Sequence, residues 1–368
     1  MLPPRFPARL IQKPERGNLQ IQPILQTWGR VLTGRVPNLS IEITRECPLR
    51  CPGCYAYEDN HLGGDTNLRS LTDYKGDDLV RRVLSLVDEH KPLHLSIVGG
   101  DPLVRYRELE IVLPQLAERG IHVQVVTSAF RPIPTQWATL PRLRMTVSID
   151  GLQPEHDLRR KPATYERVLR NIEGQHVAVH CTITGAMVRR AEYLRGFLDF
   201  WSENPNAEKI WFSIFTPQIG ADSVECITAD ERTRVIQTLL DLRESYPKLD
   251  MPEGMLKAFL APPHSPEKCV FARTTRTISA DFKTHVEPCQ LGGAPDCSRC
   301  GCIASMGLSA IGNHKLLGPL TAGSIFFASA SIGDAFKRSR NRKLPEHPSP
   351  KTDTELITID QNPKREVA

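Results

Sequence analysis

Cys47-Pro48-Leu49-Arg50-Cys51-Pro52-Gly53-Cys54 is a C-x3-C-x2-C triplet, and no other stretch constrains the chain as much. It follows Leu39-Ser40-Ile41-Glu42-Ile43-Thr44, whose alternation of apolar and polar residues predicts a β-strand. The triplet therefore falls on the loop just beyond the C-terminal end of a strand. Three thiolates this close in sequence can wrap one small inorganic centre, and they are one fewer than the four Cys that close an ordinary iron–sulfur cluster. A cubane on three Cys keeps one iron open, and an open metal position signals chemistry. Spacing alone leaves two plainer readings standing: a structural zinc site, or three cysteines packed in the core.

From residue 38 onward, strand-like and helix-like segments alternate as βα units do. Asp77-Asp78 opens a helix with Leu79, Val83, Leu86 and Val87 on one face. A strand at 93–98, a helix at 106–119 stopped by Gly120, and strands at 122–127 and 145–149 follow. Thr164 caps a helix bearing Tyr165, Val168, Leu169 and Ile172; then come a strand at 177–184, a helix at 189–201 and a strand at 209–215. Thr228-Ala229-Asp230-Glu231 is a capping box for a helix reaching about residue 244. Six βα units can close partly into a barrel, which carries its active site at the C-terminal strand ends. The pattern alone does not separate such a barrel from an open doubly wound sheet.

The strand ends carry the polar motifs. The second ends in Gly99-Gly100-Asp101-Pro102: paired glycines admit close backbone approach, and the acid can accept from an ammonium. Read alone it is a turn. The third ends in Thr127-Ser128-Ala129. The fourth ends in Ser148-Ile149-Asp150-Gly151, followed by His156-Asp157-Leu158-Arg159-Arg160. Ser148 and Asp150 suit ligand hydroxyls, and the Arg160 guanidinium can fork onto a carboxylate. The plainer readings are a polar strand end and an ion-paired helix lead-in; His156 reads as structural.

Taken together, these motifs resemble the radical S-adenosylmethionine (radical SAM) superfamily over roughly residues 38–335. The resemblance implies an α/β fold, a partial (β/α)6 barrel with a small C-terminal Cys-rich domain. It also implies a [4Fe–4S] cluster on Cys47, Cys51 and Cys54. SAM would chelate the open iron, and one-electron reduction would yield a 5′-deoxyadenosyl radical that takes hydrogen from a substrate. By the same resemblance Gly99, Gly100 and Asp101 bind the SAM amine, Ser148 and Asp150 the ribose, and Arg160 the carboxylate. Three departures stand out. Gly53 replaces an aromatic residue common before the third Cys, with Tyr55 and Tyr57 nearby; Asp101 replaces Glu; and only Thr127 matches a Thr-Asn-Gly.

Beyond the Pro-rich stretch 261–266, five Cys follow: Cys269, Cys289, Cys297, Cys300 and Cys302. The C-x2-C-x-C run with two Cys upstream is a strong metal signature, zinc included. Residues 281–289, ending in Pro288-Cys289, resemble the hairpin of SPASM and twitch auxiliary-cluster domains, with Thr284 where Gly is usual. The resemblance implies a shortened, twitch-like domain with a second [4Fe–4S] cluster. Cys269, Cys289, Cys297 and Cys300 are its expected ligands, with Cys302 contending for the last place. Cys181 and Cys226 read as small buried hydrophobes; Gln218, past the sixth strand, reads equally as a ligand contact or a loop residue.

The expected organisation is an N-terminal extension at 1–37 with a helix at 21–32, a barrel at 38–247 and a cluster domain at 248–336 containing a helix at 324–336. A basic, mostly disordered tail at 337–368 opens with Lys337, Arg338, Arg340, Arg342 and Lys343. Ten Cys without an apolar leader at Met1-Leu2-Pro3-Pro4-Arg5 predict a reducing cytoplasm. A net charge of +5 spread along 368 residues predicts no nucleic-acid partner, and no stretch reads as a membrane span. The expected partners are a small-molecule or peptide substrate and a flavodoxin or ferredoxin as electron donor. A peptide-modifying maturase and a non-catalytic metal-binding scaffold are the rival functions.

Overall fold

The alternation at residues 39–43 does form a strand, and six more join it in one parallel sheet. The structure, a computed structural model, describes residues 21–317 and 320–342. The strands are β1 (Asn38–Glu42), β2 (His94–Val98), β3 (His122–Thr127), β4 (Leu143–Ser148), β5 (Val177–Ile183), β6 (Ala207–Ile214) and β7 (Thr275–Ile278), in the order β6-β5-β4-β3-β2-β1-β7. The first six follow one another without reversal, so every crossover wraps the same way; a doubly wound sheet reverses its order midway. β6 and β7 do not pair with each other, and the barrel stays open.

β7 is the departure from expectation. It comes from the segment assigned to the cysteine-rich domain, yet it pairs in parallel with β1 from Asn38↔Thr275 to Ile41↔Ile278. Four residues without a marked alternation gave no barrel-strand signal.

The helices are α1 (Ile21–Leu32), α2 (Gly76–His90), α3 (Tyr106–Glu118), α4 (Glu155–Arg159), α5 (Tyr165–Asn171), α6 (Gly185–Val188), α7 (Tyr193–Glu203), α8 (Ala229–Leu242), α9 (Glu253–Ala258), α10 (Val270–Thr274), α11 (Ile303–Gly312) and α12 (Ala322–Arg342). The capping box of α8 forms as read: the Thr228 hydroxyl accepts from Glu231 N at 3.1 Å, and Thr228 N donates back to the Glu231 carboxylate at 2.8 Å. The helix expected at 189–201 begins only at Tyr193, as α7, because Glu192 takes a left-handed φ of 56° just before it; the separate short turn α6 precedes the expected start. α1 packs on α12 through Val31, Phe326 and Ala330. α12 is longer than expected; the side chains of 337–342 and all of 343–368 lie outside the described residues, as do 1–20, so the basic cluster and tail are not described. A short antiparallel pair, β8 (Lys315–Leu317) and β9 (Leu320–Thr321), precedes α12. Among the described residues no helix is long and apolar enough to cross a membrane.

Strand periodicity gives the sheet two unlike faces. Leu39, Ile41, Leu95, Ile97, Val123, Val125, Val147, Val179 and Phe212 turn outward and are buried with Leu79, Val83, Leu109, Phe197, Trp201 and Leu239 of the helices. Cys181 shares that face, 1% exposed, as a small hydrophobe. The inner face carries Ser40, Glu42, Ser96, Gln124, Thr146, Ser148, His180, Thr182 and Ser213. Gln124 donates to the Thr146 hydroxyl at 2.9 Å, and His180 pairs with Ser213 at 2.8 Å. The apolar face holds the barrel together; the polar one lines its interior.

Both free edges are blunted, as exposed strand edges must be. Along β6, Ile210 N donates to Lys248 O at 2.7 Å, and Ile214 N to Gly301 O at 2.9 Å. Along β7, Ile278 bridges His285 and Val286 N donates to Thr277 O at 3.0 Å. The turn between is set by Asp281, whose carboxylate accepts from Lys283 N, Thr284 N and the Thr284 hydroxyl. The left-handed residue is Phe282, φ 59°, which is how Thr stands at 284 without strain.

Candidate active site

The root of the cysteine loop is held by backbone. Ile43 N donates to Val98 O at 2.9 Å, Gly100 N to Thr44 O at 2.7 Å and Asp101 N to Glu46 O at 2.9 Å. Gly99 has φ 126°, and a Cβ there would lie 2.8 Å from Thr44 O; at Gly100 one would lie 2.1 Å from Glu46 O. The surface that demands these glycines is thus the chain's own cysteine loop. Asp101, 2% exposed, accepts from Thr127 Oγ1 and Leu103 N on one oxygen and from Ser128 N and Oγ on the other. Burial raises its carboxyl above the usual carboxylate value, against those bonds. Its acceptor capacity is spent tying the β2 end to the β3 end, which gives Thr127 and Ser128 a structural task.

Cys47, Cys51 and Cys54 are half-buried. Burial pushes the Cys47 thiol up to about 12, against a bond from Leu49 N, and the Cys54 thiol up to about 11. Burial also raises Cys51, whose thiol feels Arg160, Asp150 and Arg159. Among the described residues no three His, Cys, Asp or Glu converge tightly enough for a single metal ion.

At the end of β4, Asp150 Oδ2 accepts from Arg160 Nε at 2.8 Å and Arg159 Nε at 3.2 Å. Burial pushes the Asp150 carboxyl up, but the two guanidiniums outweigh it and hold it down at about 2. Its Oδ1 is buried without any hydrogen-bond partner. Asp150 N donates to His156 Nδ1 at 3.2 Å while His156 Nε2 pairs with Ala163 O at 2.8 Å, the structural role expected of His156. Ser148, half-buried, faces His180 across the β4–β5 register.

Arg159, Glu225 and Phe215 were not read from the sequence. Arg159 pairs with Glu225 and donates to Pro52 O at 3.3 Å, tying the loop after β6 to the cysteine loop. Gly53 takes φ 62°, and the space beyond its Cα holds Glu225 Oε2 and the Phe215 ring. An aromatic side chain has no room there. Tyr57 and Tyr55 do not fill the gap: Tyr57 donates to Arg45 O at 3.0 Å, and the Tyr55 ring packs on His61 at 5.7 Å. The adjacent Arg159-Arg160 pair was the available signal; Glu225 lies in a loop and gave none.

The second cysteine set gathers against the same end of the barrel. Cys269, Cys289, Cys297 and Cys300 lie within electrostatic reach of one another, and Cys302 within reach of Cys289 and Cys300. The Cys269 thiol pairs with Ser305 at 3.2 Å, and Gln290 Nε2 donates to Cys302 Sγ at 3.3 Å. Two clasps bind this segment to the first site. Glu42 of β1 accepts from the Ser279 hydroxyl and pairs with His61 at 2.8 Å, whose other ring nitrogen meets Leu291 O at 3.2 Å. Gln218 Oε1 accepts from Ala294 N at 2.7 Å, which makes Gln218 a loop clamp.

The family model of the radical SAM superfamily matches residues 41–189. Among curated proteins none matches the sequence. Among solved structures, Streptococcus suis SuiB bound to precursor peptide SuiA has 14% sequence identity and a TM-score of 0.51, over 83% of this chain and 68% of that one. SuiB bound to S-adenosylmethionine gives 12% and 0.50, over 85% and 73%. Native anSMEcpe with bound AdoMet and Cp18Cys peptide gives 12% and 0.51, over 83% and 100%. At such identities the likeness is one of fold. The matched stretch begins within β1, runs through the triplet, the glycine pair and Asp150-Arg160, and ends after β5. Residues 41–189 therefore constitute a radical SAM domain.

Proposed function

We propose that the protein is a radical SAM enzyme with one SAM-binding [4Fe–4S] cluster on Cys47, Cys51 and Cys54. One observation carries the reading: Asp150 offers a buried, unpartnered carboxylate oxygen at a C-terminal strand end, held ionised by Arg160 beside Cys51. A buried acceptor without a donor is costly, and a ligand hydroxyl would satisfy it.

When bound, the cluster and SAM supply reductive cleavage of SAM and abstraction of a substrate hydrogen; all other roles belong to this chain. Asp150 and Ser148 take ligand hydroxyls, and Arg160, already oriented by Asp150, forks onto a carboxylate. The Gly99-Gly100 backbone seats the cysteine loop and keeps its carbonyls in place. Asp101 acts as a brace beneath it, a role favoured over direct contact with the amine by its four hydrogen bonds. Cys269, Cys289, Cys297 and Cys300 would hold an auxiliary [4Fe–4S] cluster, with Cys302 a neighbour. A flavodoxin or ferredoxin would supply the electron.

A second reading concerns the substrate. SuiB and anSMEcpe, which share the fold, were solved with peptides bound, and a peptide substrate for this chain follows by analogy. The test is anaerobic reconstitution, iron and sulfide analysis, and 5′-deoxyadenosine assay with dithionite and SAM. Full activity in the wild type and none in the Cys47→Ala/Cys51→Ala/Cys54→Ala variant is expected. A chain that binds zinc and makes no 5′-deoxyadenosine is a scaffold.

A further inference from the structure

We infer that a basic rim beside Cys47 is the docking surface for a small acidic one-electron carrier protein; this rests on the cluster reading above. Between the loops that follow β1, β2 and β3 lies an opening of ≈ 670 Å³ whose lining includes Arg45, Glu46, Cys47, Arg69, Phe130 and Arg131. Three of these six are arginines, and each is held by something other than a carboxylate. Arg45 donates to the carbonyls of Arg69 at 3.0 Å and Leu71 at 2.7 Å. The Arg69 guanidinium lies 4.0 Å above the Tyr57 ring, and that of Arg131 lies 3.6 Å above Tyr106. Among the described residues none of the three makes an ion pair, whereas the one acid of the lining, Glu46, is occupied by Lys75 at 2.8 Å and Arg105 at 3.0 Å. The rim is therefore positive, and its guanidiniums are pre-set.

Carbonyl and aromatic contacts fix a cation in place without cancelling its charge, which leaves it free to attract an anionic surface. Such charge speeds encounter, and a faster association at unchanged dissociation tightens binding at low salt. Redox encounters use small interfaces, and Phe130 supplies an apolar patch inside the charged rim. Cys47 itself lines the opening, so a carrier seated there is one thiolate from the centre it must reduce. The step is a single electron: the carrier is oxidised by one, the thiolate-held centre is reduced by one, and no proton or group moves.

The test compares wild type, Arg69→Glu/Arg131→Glu and the milder Arg69→Gln/Arg131→Gln as reconstituted holoenzymes. Reduced acidic flavodoxin is the probe and dithionite the charge-blind control. Flavodoxin affinity, by titration, and the flavodoxin-driven rate of 5′-deoxyadenosine formation at low ionic strength should both fall about tenfold or more in the reversal variant and less in the neutral one. Added salt should erase the difference, and the dithionite-driven rate should stay within about twofold. Unchanged flavodoxin affinity in both variants overturns the docking site. So does a wild type that ignores flavodoxin and binds polyglutamate, because the rim then serves an acidic polypeptide. If dithionite yields no 5′-deoxyadenosine from the wild type, the cluster reading fails, and the titration still reports on the surface by itself.

Discussion

Replacing Asp150 by Asn removes one negative charge from between two guanidiniums and changes almost no volume. The carboxyl sits at about 2 in the folded chain against an ordinary 3.8. That depression corresponds to about 2–3 kcal/mol of preference for the ionised form, with the opposing burial already included. Asn resembles the protonated acid, so Asp150→Asn should lose about 2–3 kcal/mol at pH 7, within reach of the 3–5 kcal/mol typical of breaking a buried pair. Arg159 keeps Glu225, and Arg160 is the residue left alone. The sign with pH follows: a depressed carboxyl stabilises fully above the unfolded value and loses its contribution as pH falls through the folded one. The gap between wild type and variant should be constant from pH 5 to 8, and should close as pH drops from about 4 toward 2. Urea unfolding of the reduced, metal-free protein at several pH values measures it. A gap under about 1 kcal/mol at pH 7, or one indifferent to acid, would falsify the claim that this triad is held by charge.

Three further perturbations test the scaffold. Burial lowers His180 to about 4, so the folded chain resists its protonation: stability should be full above pH 6.5 and decline toward pH 4, by at most about 3 kcal/mol, a decline His180→Gln should lack in the same urea series. Gly301→Ala would set a Cβ 2.0 Å from Ile214 O and should cost several kcal/mol in thermal unfolding, whereas Gly29→Ala, with nothing within 4 Å on a helix, should gain about 0.5–1 kcal/mol. Thr228→Ala removes the cap of α8 and should cost about 1 kcal/mol, read by urea unfolding.

The sheet was legible where its residues speak locally. Strands at 122–127 and 177–183 alternate, Thr228 and Glu231 are spaced as a capping box, and the three cysteines stand where a strand runs out. What the sequence hid was non-local. Nothing in Thr275–Ile278 says that it lies beside β1, because a short strand is chosen by its neighbour. Gly99 and Gly100 read as a ligand cradle, yet the contact that excludes a side chain there is with Thr44 and Glu46, one βα unit away in sequence. Asp101 read as a free acceptor, and its two oxygens turn out to be filled by β3. Glu225 shows the limit most clearly: its meeting with Arg159 and Gly53 depends on how a loop of low sequence signal returns across the mouth.

The parallel ribbon at 275–278 decides where this protein can be divided. A truncation after residue 247, the natural cut if each cysteine set belonged to its own independent body, would strip β1 of a partner and uncover the flank of β6 where Lys248, Asp250 and Gly301 now lie. The shortened chain would present bare backbone on both sides at once and stick to its own copies. The barrel needs the C-terminal third as a lining, so neither part can be spared.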